Sequence, residues 1–104
     1  MTFDDYQRAS LRTVNPALAP AERLLDAAAG LAEESGEVLG LIRKQMFQHR
    51  AADREKFVEE LGDALWCLGV TADALGISLG EVAGANLAKL ARRHPHGFEP
   101  ERDR

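Results

Sequence analysis

Two acidic blocks share one pattern, acid-acid-x-Gly-acid: Glu33-Glu34-Ser35-Gly36-Glu37 and Glu59-Glu60-Leu61-Gly62-Asp63. In each block the last two acids, Glu34 with Glu37 and Glu60 with Asp63, are three residues apart. On a helix they lie roughly 60° apart around the axis and one turn apart along it. Four carboxylates can then converge between two helices. Like charges at this spacing repel, and a glycine inside a helix costs about 1 kcal/mol relative to alanine, so both blocks oppose helix stability. A bound divalent cation accounts for the acids, and close approach of a ligand or another helix accounts for the glycines. With 17 acids among 104 residues, one such pair on a solvated face would be ordinary, and the matched repeat is what singles these out.

All-oxygen ligands favour hard cations such as Mg²⁺, Mn²⁺ or Ca²⁺ over zinc. Magnesium held by few carboxylates keeps waters and meets substrate phosphates, which points to a nucleotide or pyrophosphate substrate. A di-iron bundle would need Glu-x-x-His pairs, and none of His49, His94 and His96 follows a glutamate by three. The histidines are read as surface residues near turns, with His49 a minor candidate for touching a ligand. A phosphate substrate also needs cations from the protein. Asn86, Lys89 and Arg93, at i, i+3 and i+7, make a row along one helix face, and Arg92 is read as solvated. Arg43, Lys44 and Arg50 complement the negative end of a preceding helix. Trp66 lies three residues after Asp63, and with Cys67 and Val70 it forms a second apolar patch. That patch reads as a subunit interface in preference to a wall for a stacked base. Neither a P-loop nor a Gly-x-Ser-x-Gly elbow is present.

The elements that must carry these residues are helical throughout. A first helix is expected over about 4–14, capped by Thr2 and stopped by Asn15-Pro16. A second starts at Pro20, suited to a first turn, and runs to about Phe47. Its seam is Leu24, Ala28, Leu31, Ser35, Val38, Ile42 and Met46, which places Glu34 roughly 80° from the seam centre, bordering the core without entering it. Residues 48–52 read as a turn, and Asp53 caps a third helix reaching Leu75, with Gly76 as its left-handed terminator. The seam of the third helix is Phe57, Leu61, Ala64, Leu68, Ala72 and Leu75. A capping box of Ser78 and Glu81, flanked by Ile77 and Val82, opens a fourth helix that ends before His94-Pro95. The reading is a single all-α domain over 1–104, a four-helix bundle-like fold with a short helix and linker at 1–19 and a loose tail at 98–104.

The net charge of −4 argues against gripping nucleic acid through its phosphates. One cysteine, Cys67, cannot close an intramolecular disulfide, and no segment approaches a membrane span, so a cytoplasmic protein is expected. Counting apolar faces against helices predicts a homodimer or a dimer of dimers, with the site near the interface and Trp66 in or near it.

These features together resemble the MazG-like family of all-α nucleoside triphosphate pyrophosphohydrolases. The resemblance rests on Glu33-Glu34-x-x-Glu37 followed by Glu60-x-x-Asp63, and continues through Leu75-Gly76-Ile77-Ser78 and Asn86-Leu87-Ala88-Lys89-Leu90 to Pro95 and Gly97-Phe98. It implies Mg²⁺-dependent cleavage of nucleoside or deoxynucleoside triphosphates between the α and β phosphates. It further implies metal ligation by Glu34, Glu37, Glu60 and Asp63 and substrate contact by Lys89 and Asn86. The chain departs from the family at Cys67, where relatives often carry an aromatic residue. The competing expectation is a non-enzymatic helical oligomeric module with a cation-binding acidic face.

Overall fold

The computed structural model describes residues 1–49, 51 and 53–100. Arg50, part of the expected 48–52 turn and the last 4 residues of the expected tail lie outside the described residues. The described chain is all-α: α1 (Phe3–Ser10) continued by a 3-10 turn (Leu11–Thr13), α2 (Pro20–Phe47), α3 (Arg54–Ala74) and α4 (Leu79–Arg93).

The ends of these helices follow from local chemistry. Thr2 accepts from the Asp5 amide at 3.0 Å and its own amide donates to the Asp5 carboxylate at 2.9 Å, a complete capping box. Pro20 opens α2, while Glu22 accepts from the Ala19 amide at 2.8 Å. Asp53 caps α3 by accepting from the Lys56 amide. At the far end of α3, Gly76 adopts φ +74°, and the Gly76 and Ile77 amides donate back to Asp73 and Ala72. That pair of bonds is a Schellman stop. Ser78 accepts from the Glu81 amide at 3.1 Å, but Glu81 returns no bond, so the expected box is half formed.

α2 and α3 pack as antiparallel neighbours. Arg23 meets Asp73 at 3.3 Å, Gly30 faces Cys67, Glu34 faces Glu60, and Leu41 faces Phe57, a register that runs in opposite directions along the two helices. The packed face differs from the expected seams. On α2 the covered positions are Arg23, Leu24, Ala27, Gly30, Leu31, Glu34, Val38, Gly40 and Leu41, while Ala28, Ser35, Ile42 and Met46 are exposed. Of the expected α3 seam, Phe57, Ala64 and Ala72 are covered while Leu61, Leu68 and the C-cap Leu75 are exposed, and Glu60, Cys67, Val70 and Thr71 are covered beside them. The α2 face is thus turned by roughly 80° from the expected seam, with Glu34 near its middle. The longest apolar side chains mark the outer stripe, whereas small residues let the two backbones approach.

The other elements seal one end of this pair. The ring N–H of Trp66 donates to Thr13 Oγ1 at 2.7 Å, and Cys67 and Val70 are buried within the chain. The expected open patch of Trp66, Cys67 and Val70 is therefore largely covered by this chain's own elements, and Cys67 and Val70 cannot meet a partner. The buried apolar set is small: Ala27, Cys67, Val70, Ala72 and Leu79. The radius of gyration is 16.7 Å, against about 13 Å for a compact domain of this length. α4 explains part of the difference. It leaves α3 at 101°, and every residue from Gly84 to Arg93 is exposed. Among the described residues, no single helix is long and apolar enough to cross a membrane.

Candidate metal centre

Glu34 projects from α2, and Glu60 and Asp63 project from α3. Each offers a carboxylate oxygen, and the three oxygens lie within 4.8 Å of one another. Glu34 and Glu60 are half-buried, while Asp63 is exposed. Hydrogen bonding to Glu60, burial, and the charges of Asp63, Glu60 and Glu33 push the Glu34 carboxyl up to about 7. Oε2 of Glu34 is buried without a hydrogen-bond partner among the described residues. A crowd of carboxylates with an orphaned oxygen is electrostatically unsatisfied, and a hard cation with oxygen preference is the chemistry that satisfies it.

The remaining acids stand apart from this trio. Glu37, one turn further along α2, is exposed and does not join the cluster; Glu33 and Glu59 are exposed, and Glu59 lies 3.7 Å from Lys56. The glycines of the two blocks do not serve helix approach within the chain, because a Cβ at Gly36 or Gly62 would meet nothing within 4 Å. Gly30, one turn before Glu34, does serve it: a Cβ there would sit 3.0 Å from Cys67 Sγ. Burial first, then the charges of Glu34 and Asp63, push the Cys67 thiol up, so it is a buried, unreactive thiol.

On the other side of the trio, the pair opens into a cleft of about 280 Å³ between Leu41, Lys44, Gln45, Phe57 and Lys56. Lys44 from α2 and Lys56 from α3 line that end together with Asp53. Lys56 was not among the expected candidates, since an isolated lysine next to Glu55 and Glu59 reads as a solvated face. Asn86, Lys89 and Arg93 lie on the exposed stretch of α4 and are not packed into the trio's groove. His49 is exposed at φ 51°, in the left-handed position that follows the α2 cap, which glycine or asparagine more often fills. His94 is half-buried as the C-cap of α4, not a surface residue as expected.

An all-α chain with a carboxylate trio between antiparallel helices is the class that fold and site define. Residues 23–98 match the MazG nucleotide pyrophosphohydrolase domain. The chain belongs to that family. It is also 31% identical over 75 residues to "Uncharacterized protein YvdC" of Bacillus subtilis (strain 168), covering 64% of this chain and 71% of that protein. No solved structure matches the chain.

Proposed function

We propose that this chain hydrolyses nucleoside or deoxynucleoside triphosphates between the α and β phosphates, releasing a monophosphate and pyrophosphate, with Mg²⁺ or Mn²⁺ held by Glu34, Glu37, Glu60 and Asp63. The observation that carries this reading is the trio within 4.8 Å whose buried Glu34 Oε2 has no hydrogen-bond partner among the described residues. Family membership supports the reaction class. The donor set of the trio fits a hard divalent cation, and Glu37, outside the trio, is assigned to the set by the Glu33-Glu34-x-x-Glu37 motif alone. Such an ion, when bound, supplies neutralisation of the polyphosphate and acidification of a water.

The chain's own residues do the rest. A carboxylate of the cluster takes the proton of the attacking water, whose oxygen bonds to the α phosphorus as the bond to the bridging oxygen breaks. Pyrophosphate leaves with that electron pair. Asn86, Lys89 and Arg93 supply donors for the phosphates, and the half-buried ring of Trp66 stands one turn from Asp63 on the base side. A homodimer or dimer of dimers completes the picture. Exposed Leu39, Ile42 and Met46 on α2, with Leu61 and Leu68 on α3, form outer apolar stripes that one protomer leaves to water. A second copy covers them at least cost.

The test is to incubate the purified chain with a nucleotide panel and Mg²⁺, identify the products, and read the mass of the same sample by light scattering. Monophosphate and pyrophosphate from an oligomer are expected. Orthophosphate release overturns the site of cleavage and selects a different phosphohydrolase reaction, no turnover selects the interaction module, and an active monomer overturns the assembly.

A further inference from the structure

α1 lies before residue 23, where the family match begins, and through Gln7 it makes a three-bond polar contact with the α3–α4 corner. Gln7, 6% exposed, donates through Nε2 to Gly69 O at 2.9 Å and to Ile77 O at 3.2 Å, and its Oε1 accepts from the Leu79 amide at 2.9 Å. One amide side chain thereby joins α3, the α3–α4 turn and the first residue of α4. Asp4, one turn earlier on the same face of α1, accepts from the Gly80 amide at 2.8 Å. Of the amides that the start of a helix leaves without partners, those of Leu79 and Gly80 are thus taken by α1, and that of Glu81 by Ser78. The Asp4 carboxylate also suits the positive end of the α4 dipole. Gly80 is required for this approach, since a Cβ there would sit 2.9 and 3.0 Å from the Asp4 oxygens.

Beyond Ala83 the body of α4 is exposed as far as Arg93, so its direction is set at its base. Its base is where Gln7 and Asp4 act. We propose that Gln7 and Asp4 are positioning residues for the cationic row of α4. By fixing the 101° turn from α3 they fix where Asn86, Lys89 and Arg93 stand relative to a nucleotide held at the acids. This inference rests on the reading of α4 as the phosphate-binding arm. The acids, on α2 and α3, are not touched by the latch.

The experiment compares the full-length chain with Gln7→Ala, Asp4→Ala and Asp4→Asn in three measurements. KM should rise on the order of tenfold in the two alanine variants, with kcat changed less. Mn²⁺ affinity, read by calorimetry, should be unchanged. Spin labels at Glu55→Cys and Arg92→Cys, diluted with unlabelled chain, should show a broadened distance distribution in both alanine variants; buried Cys67 leaves the labelling specific. Asp4→Asn keeps an acceptor oxygen and should match the wild type in all three. If Gln7→Ala does not fold, Asp4→Ala carries the comparison. Equal losses in kcat/KM, Mn²⁺ affinity and thermal stability with an unbroadened distribution overturn the proposal, because a merely structural role predicts them. A wild type without turnover overturns the functional reading alone. The distance distribution of Asp4→Ala then decides the latch, supporting it if broadened and overturning it if unchanged.

Discussion

The two ends of the α2–α3 pair are built on opposite plans. At the end formed by Arg23, Ala27 and Gly30 against Asp73, Val70 and Cys67, the helices approach closely, α1 and the Thr13 turn cover the remaining face, and Val70 is 1% exposed. At the other end Met46 is 63% exposed and Phe47 71%, and a cleft of about 280 Å³ separates Leu41 from Phe57. Glu34, Glu60 and Asp63 stand at the boundary between these regimes. The difference teaches where a repulsive cluster can be held: the closed end supplies the rigidity, and the open end leaves the cluster accessible to solvent. A cluster one turn deeper would be sealed from solvent, and one turn further out would lose the burial that sets the carboxylates against one another.

The largest expected effect comes from breaking the boundary itself. Glu60→Gln or Asp63→Asn should lower triphosphate turnover by at least about a hundredfold while leaving the helical circular dichroism intact. Full activity in both variants would place the chemistry elsewhere.

The closed end is tested next by Gly30→Ala. Alanine gains about 1 kcal/mol in helix propensity, but overpacking against Cys67 costs about 1–3 kcal/mol, so a net loss of about 1 kcal/mol is expected in the urea midpoint at constant slope. Adding Cys67→Ala should recover part of that loss. A stabilised Gly30→Ala would show that this end is looser than the 3.0 Å approach implies.

The smallest effect concerns protons. The folded chain raises the Glu34 carboxyl from 4.5 to about 7, so it binds that proton more tightly than the unfolded chain does. Stability from this group is fully present below the unfolded value and is lost as pH rises through the folded one. The metal-free protein should therefore melt lower at pH 8 than at pH 5, and Glu34→Gln should flatten that slope. Equal slopes in the two proteins would remove Glu34 as its source.

Much of this was legible from residue types alone. The bounds of α2, the Thr2, Asp53 and Ser78 caps, and the Gly76 stop follow from local chemistry, because a cap depends on a few neighbouring residues. The acid blocks were legible for the same reason, through repeated spacing. Which face of α2 meets α3 was not. Hydrophobicity favoured the stripe of Ile42 and Met46, but close packing selected the stripe of Ala27 and Gly30, where small side chains let backbones approach, and it drew Glu34 inward. The fate of Trp66, Cys67 and Val70 was also hidden, since a short helix 53 residues away from Trp66 covers it through Thr13. Gln7 gave no signal at all, being one polar residue on a polar helix whose partners are backbone groups far along the chain.

The central claim is that the trio at the boundary holds a divalent cation, and Mn²⁺ binding read by electron paramagnetic resonance at pH 8 tests it most directly. The account predicts saturable binding by the wild type that is lost in Glu34→Gln, Glu60→Gln and Asp63→Asn, each still fully helical. Undiminished Mn²⁺ affinity in all three variants would contradict it.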